Sequence, residues 1–410
     1  MPADPSDSYP RARAAALAGA AASLLGLGLA RFAYTPLLPA LVEGGWFDAG
    51  AAAYLGAANL AGYLIGALAG ARVMRWLGPG GTTRAMMLLS AASFLACIEP
   101  VGFAWFFLWR LLSGIAGGLV MVAASSLVML QTPIDRRGRA GGLMFSGVGL
   151  GVVLAAVAIP WLLDFGLGVT WAVLGVVSTV IALAAWPLAR EPEGMAPPSP
   201  SPADTAETPD DASARQRAER RALIAVTLLY GLCAFGLVPH MVFLVDYVAR
   251  GLDLGMGQGA FFWTLFGIGA AVGPLATGRL ADRIGFAAAL RVLVLVEVGS
   301  VALLAATEVP ALIGLAAFTG GLLAPGMVPV TLGRVRELSG PSEGAKAGAW
   351  GRATSGFALG QAAGAYLLAW LYDRTGDYHV LFYVALSAPV IGIALELAAA
   401  FGRARAAGRR

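Results

Sequence analysis

Long apolar blocks separated by short polar ones organise this chain. They cover approximately 14–42, 51–71, 84–98, 102–131, 140–163, 168–189, 221–249, 259–281, 286–306, 308–333, 346–371 and 378–402. A hydrocarbon core about 30 Å thick takes roughly 17 to 25 apolar residues per helix, so the pattern predicts twelve transmembrane helices. The third block is the shortest, and "IEPVG" (98–102) separates it from the fourth because proline cannot continue the preceding helix. The longest polar stretch, 190–221, is rich in Pro, Ser, Ala and acidic residues that cannot bury enough apolar surface to fold alone. We therefore expect an N-terminal six-helix bundle at 1–189, a flexible cytoplasmic linker at 190–220 and a C-terminal six-helix bundle at 221–410. A partner-binding regulatory loop is the competing reading of the linker, although nothing in it resembles a binding helix.

Charge gives the expected orientation. With a cytoplasmic N-terminus, 24 of the 28 basic residues fall on cytoplasmic segments, and the outer loops hold only Arg250 and Arg374. This positive-inside bias places both termini in the cytoplasm. Hydrophobic residues make up 58% of the chain and charged ones 13%, where soluble domains carry about a quarter charged, so an integral membrane protein in contact with the lipid bilayer is expected. The basic excess would suit a nucleic-acid binder, but the arginines sit in short clusters between apolar blocks and form no basic stripe; no nucleic-acid partner is expected. Residues 1–10 contain Asp4 and Asp7 and no basic start, and the apolar run that follows is too long for a signal-peptide core, so it should remain as a span. Cys97 and Cys233 lie inside apolar runs without metal-ligand spacing or a framework of pairs, and read as small buried hydrophobes.

The two halves echo each other, as in repeat-built transporters. "GALAGARVMRWLG" (66–78) matches "GPLATGRLADRIG" (273–285) at an offset of 207, and "GRAGGLMFSGVGLG" (138–151) matches "GRATSGFALGQAAG" (351–364) at 213. In the second pair Gly147 and Gly151 match Gly360 and Gly364, with the same direction and sidedness, so the halves read as parallel repeats.

Twelve runs, a six-plus-six division and these loop motifs resemble the major facilitator superfamily (MFS). More narrowly, "RFAYTPLLPALV" (31–42) and "YLGAANLAGYLIGAL" (54–68) resemble its YbfB/YjiJ branch. The resemblance implies an all-α fold of two pseudo-symmetric bundles and a secondary transporter of the bacterial inner membrane, without cofactor or metal. It also implies a gating motif between spans two and three and again between eight and nine. The second copy fits, with Gly278, Asp282, Arg283 and Gly285; the first has Arg75 where the aspartate should stand. Such a carboxylate at a helix end pairs with a neighbouring helix terminus or arginine in one conformation and loses that partner in the other. For Arg72 and Arg75, positive-inside anchoring is the simpler reading. The antiporter-associated Gly-Pro of span five is missing, since Pro160 is the nearest proline beyond Gly151.

The candidate binding or coupling residues are polar positions inside the apolar blocks. Arg31 lies about 27 Å beyond Arg13 and about 18 Å below Glu43 along an ideal helix; lipid exposure there would cost at least about 3 kcal/mol. A place on the central cavity, which span one lines in the resembling fold, is the cheaper solution, against a bridging or snorkelling role. Tyr34 shares its face, while Pro36 and Pro39 bend the outer third of the helix. Arg110, in "WRLLSGIAGG" (109–118), lies about 16 Å inside Glu99 and needs water, a carboxylate or backbone carbonyls. His240 enters at a depth similar to Arg31 and either binds substrate, carries a proton or is a packing residue. Asn59 and Gln361 are either contacts or helix ties. Glu297 and Glu396 fall on peripheral helices and read as pairing residues, and Asp246 reads as a candidate gate residue near the outer end.

Arg31, Arg110 and His240 make the expected cavity electropositive. We expect a small-molecule substrate that is anionic or carboxylate-bearing, with protons as a candidate coupling ion and a monomer sufficient for transport. A drug exporter is the rival within the class, and it would place Glu297 or Asp246 on the cavity. A non-transporting membrane receptor or a membrane-embedded enzyme is the rival from another class; the enzyme would need a convergent catalytic set, which two histidines and two separated cysteines do not supply. No phosphate-binding loop with its lysine occurs either, since Lys346 is the sole lysine.

Overall fold

The computed structural model describes residues 5–133, 137–190, 212–339 and 343–407, and every regular element among them is a helix. Ten helices among the described residues are long and apolar enough to cross a membrane. They are α1 (Arg11–Glu43), α2 (Ala49–Leu95), α3 (Phe103–Gln131), α4 (Ala140–Leu163), α5 (Leu167–Leu188), α6 (Glu219–Gly251), α7 (Gly255–Ile284), α8 (Phe286–Ala306), α9 (Pro310–Leu338) and α11 (Tyr378–Ala400). Helix α10 (Glu343–Thr375) is of comparable length and carries more polar and small residues. Helix α2 has 47 residues but is two arms, because Gly78 leaves helical geometry (φ 69°, ψ 167°) immediately before Pro79. Only glycine takes that backbone without strain, so the second and third apolar blocks join at a corner. The backbone of α6 is already helical from Ala212, inside the expected linker, while 191–211 lies outside the described residues.

Inside each half, helices meet backbone to backbone at glycines. A Cβ on Gly62 of α2 would lie 2.1 Å from the Leu111 carbonyl oxygen of α3, and one on Gly114 would lie 2.0 Å from that of Asn59. In the second half a Cβ on Gly269 of α7 would lie 2.2 Å from the Phe318 carbonyl oxygen of α9, and one on Gly321 would lie 1.9 Å from that of Phe266. All four residue pairs are related by the 207-residue offset. Without a hydrophobic force between helices in lipid, such small-residue contacts carry the packing. Helix α4 clasps α1 in the same way, through Gly147 on Ala20 and Gly151 on Gly28, and α10 clasps α6 through Gly360 on Gly231.

The halves meet where α2 packs on α10 and α4 on α7. At one end, called here the closed end, their side chains interlock. The Thr35 hydroxyl of α1 donates to the Met241 carbonyl of α6, Phe32 lies 6.0 Å from the Trp263 ring and 5.9 Å from Phe266, and Tyr54 lies 6.4 Å from Tyr366. Asp373 of α10 sits directly on Gly50 in the first turn of α2. Among the described residues no comparable packing joins α3 or α4 to α9 or α10 towards the opposite, open end.

Candidate substrate cavity

Helix α1 positions its arginine by departing from regular helix. Leu24–Leu29 forms a π-helical segment, the regular pattern lapses at Ala33, and Pro36 and Pro39 remove donors for the Phe32 and Thr35 carbonyls. π segments cluster at functional sites. Beyond this one, Arg31 reaches a cavity of about 730 Å³, its mouth included, between the two halves. Helix α6 approaches from the other half with matching breaks, at Leu237 and in π segments over Pro239–Phe243 and Tyr247–Gly251.

The cavity is mostly apolar and rich in aromatic rings. Phe32, Tyr63 and Phe145 come from the first half, and Tyr230, Phe266, Trp350 and Phe357 from the second. Among the described residues Arg31 is the lone cation on this wall, and no aspartate or glutamate lines the space. Its Nη2 lies 3.1 Å from the Met241 sulfur, its guanidinium carbon 5.4 Å from the Tyr63 ring centre, and its buried Nε has no hydrogen-bond partner. No described carboxylate pairs with it. Opposite, Gln361 donates from Nε2 to the same Met241 sulfur at 3.2 Å, leaving its buried Oε1 unpartnered, as is the Thr354 hydroxyl. The site therefore offers a cation without a carboxylate partner, together with an unsatisfied amide oxygen and hydroxyl, inside an apolar box.

Of the six residues picked from the sequence, the cavity receives Arg31 and Gln361. Arg110 lies behind the wall, buried, donating from Nη1 to the Ala30 carbonyl at 2.7 Å with its guanidinium 4.2 Å over the Tyr34 ring. It thus takes the backbone-carbonyl option open to a buried arginine and braces α1 beside its π segment. Tyr34 donates to the Ala52 carbonyl, and Asn59 donates to Ser113 Oγ at 2.8 Å, each tying neighbouring helices. His240 is fully buried against α8 and α9, with Nε2 3.0 Å from Ser300 Oγ and Gly320 making room for its ring. Asp246 is buried too, held bidentately by Arg250 and by the Tyr378 hydroxyl at the closed end. Of the two peripheral glutamates, Glu396 pairs with Arg291 at 2.8 Å, whereas Glu297 has no ion-pair partner among the described residues and faces Gly236, Pro389 and the Cys233 thiol.

Sequence reasoning passed over Tyr63, Tyr230, Met241, Trp350, Thr354 and Phe357. Four lining residues of α10, Trp350, Thr354, Phe357 and Gln361, recur at spacings of four, three and four, one stripe of a helix. That stripe was a usable signal. In the gating motif Gly285 takes φ 83° at the turn between α7 and α8, and Asp282 and Arg283 are exposed there without an ion pair among the described residues.

The sequence matches the family described as "Uncharacterised MFS-type transporter YbfB" over residues 23–397. No curated protein matches it. Among solved structures, the crystal structure of a peptide transporter POT in complex with sulfate is similar in fold, with a TM-score of 0.71 at 16% identity, covering 95% of this chain and 94% of that one.

Proposed function

Because the chain belongs to the family of YbfB-type MFS transporters, we propose that it carries a small amphiphilic carboxylate across the membrane by alternating access, with Arg31 as the substrate's counter-charge. In this reading the two arms of α2 and helix α10 complete twelve spans, both termini are cytoplasmic, and the membrane is the bacterial inner one. The open end then faces the cytoplasm, and the unpaired Asp282 and Arg283 are a latch released on that side.

The observation that carries the proposal is the unpaired guanidinium in an acid-free aromatic cavity. An intramembrane arginine is tolerated only with a partner or water, and here the missing partner is supplied by the cargo. A carboxylate matches the fork of the guanidinium. The aromatic wall selects an apolar body, and Gln361 and Thr354 fix its orientation. An exporter of lipophilic cations is the weaker reading: neither Asp246 nor Glu297 lines the cavity, so a cation would meet Arg31 with nothing to offset the repulsion.

The test is a thermal-shift screen of the detergent-purified protein against organic anions, neutral solutes and lipophilic cations, repeated on Arg31→Ala. Ligands that bind the native state raise its apparent stability. We expect stabilisation by aromatic or branched carboxylates that disappears in the variant. Stabilisation by cations alone, unchanged in Arg31→Ala, would overturn the reading.

A further inference from the structure

Glu297 of α8 is fully buried, and among the described residues neither carboxylate oxygen has a nitrogen or oxygen partner, the Cys233 thiol being the donor beside it. Its Oε1 lies 2.6 Å from the place a Cβ on Gly236 would take, and Pro389 of α11 closes the same spot. An ionised carboxylate there would have no opposite charge and only the weak donor of the Cys233 thiol to compensate it, a costly arrangement in a protein interior or a bilayer. One turn along the same interface, His240 of α6 is fully buried with an unpartnered Nδ1. Ser300, which holds the other ring nitrogen, follows Glu297 by three residues, and His240 follows Gly236 by four. The two ionisable groups therefore occupy successive rungs of the α6–α8 contact.

Between those rungs α6 breaks at Leu237, and its π segment Pro239–Phe243 begins. Met241, next after His240, is the residue whose sulfur meets Arg31 and Gln361 and whose carbonyl receives the Thr35 hydroxyl across the closed end. A change at the rungs thus has a short covalent route to the cavity and to the seal.

We propose that Glu297 and His240 form a proton-binding site outside the cavity, which couples proton uptake to the closed end by repacking the π segment of α6. The protonated, neutral form is the one that fits the closed arrangement. Loss of the proton to water leaves a bare carboxylate that must move towards a partner or admit solvent, and the seal through Met241 loosens. The coupling purpose rests on the transport reading above; the site does not. The titratable and charged groups facing it are Cys233 and His240 from α6, and the Arg291–Glu396 pair joining α8 to α11. From α9 the Thr319 hydroxyl reaches Ser300. The charged residues of α7 (Arg279, Asp282, Arg283) and of α9 (Arg334, Arg336, Glu337) cluster at the ends of those helices, and the part-exposed His379 stands 3.6 Å from Glu308 beyond the other end of α8.

The experiment measures spin-label distances across the closed end in the full chain, using Glu43→Cys with Thr375→Cys in detergent, without substrate, from roughly pH 5 to 9. Cys97 and Cys233 are buried and stay in place. We expect the open population of the otherwise native protein to rise at least about threefold with pH. Glu297→Gln, which mimics the neutral acid, should hold the end closed at every pH, and Glu297→Asp should restore the response. A pH response unchanged in Glu297→Gln, or absent from the parent, overturns the proposal. Should Glu297→Gln fail to fold, infrared difference spectra of the native protein decide: a protonated-carboxyl band that disappears as pH rises supports the site, and its absence sinks it. Because no substrate is present, failure here and failure of the carboxylate screen are separate results.

Discussion

At Arg110 the guanidinium serves the fold: it caps the Ala30 carbonyl and lies over Tyr34. At Arg31 it lines the cavity, touching the Met241 sulfur and, among the described residues, pairing with no carboxylate. The two arginines should therefore respond differently to truncation. Arg110→Ala removes a buried charge-assisted hydrogen bond and should cost about 1.5 to 3 kcal/mol, visible as a lowered Tm without ligand; an unchanged Tm would contradict the bracing role. Arg31→Ala should affect the response to anions far more than the unliganded Tm. The sequence made both arginines conspicuous, because depth in an apolar run is readable from residue counts. It did not separate their roles, since these depend on rotation about the helix axis and on the acceptor each finds. Asn59 illustrates the same point: only the structure reveals that its amide is taken up by Ser113.

Elements in this protein are set by glycine contact and by helix breaks. The 207-residue echo read from the loop motifs also relates the clasps, so Gly114 and Gly321 stand at corresponding positions on α3 and α9. Gly114→Val and Gly321→Val should each force a carbonyl contact apart and lose most of the monodisperse protein, checked by size-exclusion chromatography after extraction. A stable Gly321→Val beside an unstable Gly114→Val would mean that the halves are not packed alike. The block pattern made the all-helical architecture and the order of the apolar helices legible, apart from the corner at Gly78, where the second and third blocks run on as two arms of α2. The π segments of α1 and α6 were not legible. Nothing in "LLGLGL" or "PHMVF" beyond its glycines and proline distinguishes a π turn from a regular one. The wall residue Met241 was missed for the same reason, since π turns change which side chains share a face.

Across the whole molecule, the closed end can be tested by locking it. Asp373 Cβ lies 3.3 Å from where a Cβ on Gly50 would stand, close to the spacing of about 3.5 to 4.5 Å that a disulfide spans. The pair Gly50→Cys with Asp373→Cys should therefore crosslink on mild oxidation and hold the two halves together at that end. Mass spectrometry of the oxidised protein checks the bond, and absence of the bond would argue against the closed arrangement. The two halves share a scaffold but divide the charge. Val238 and Ala317 stand at the positions of Arg31 and Arg110, while Ser90 and Ala33 stand at those of Glu297 and His240. This division could have been read by aligning the halves, yet its meaning needed the structure, which places the cation on the cavity and the acid behind it.

The glycine clasps also bear on selectivity. Carbonyl oxygens occupy the space a Cβ would need on both sides of the cavity, so each half resists spreading and can only turn as a unit. A chamber bounded by two such bodies cannot swell around a larger guest. Within a series of carboxylates of growing bulk, affinity should climb while the apolar body fills the aromatic box and then fall abruptly, the behaviour of a size filter rather than of a pliable multidrug pocket.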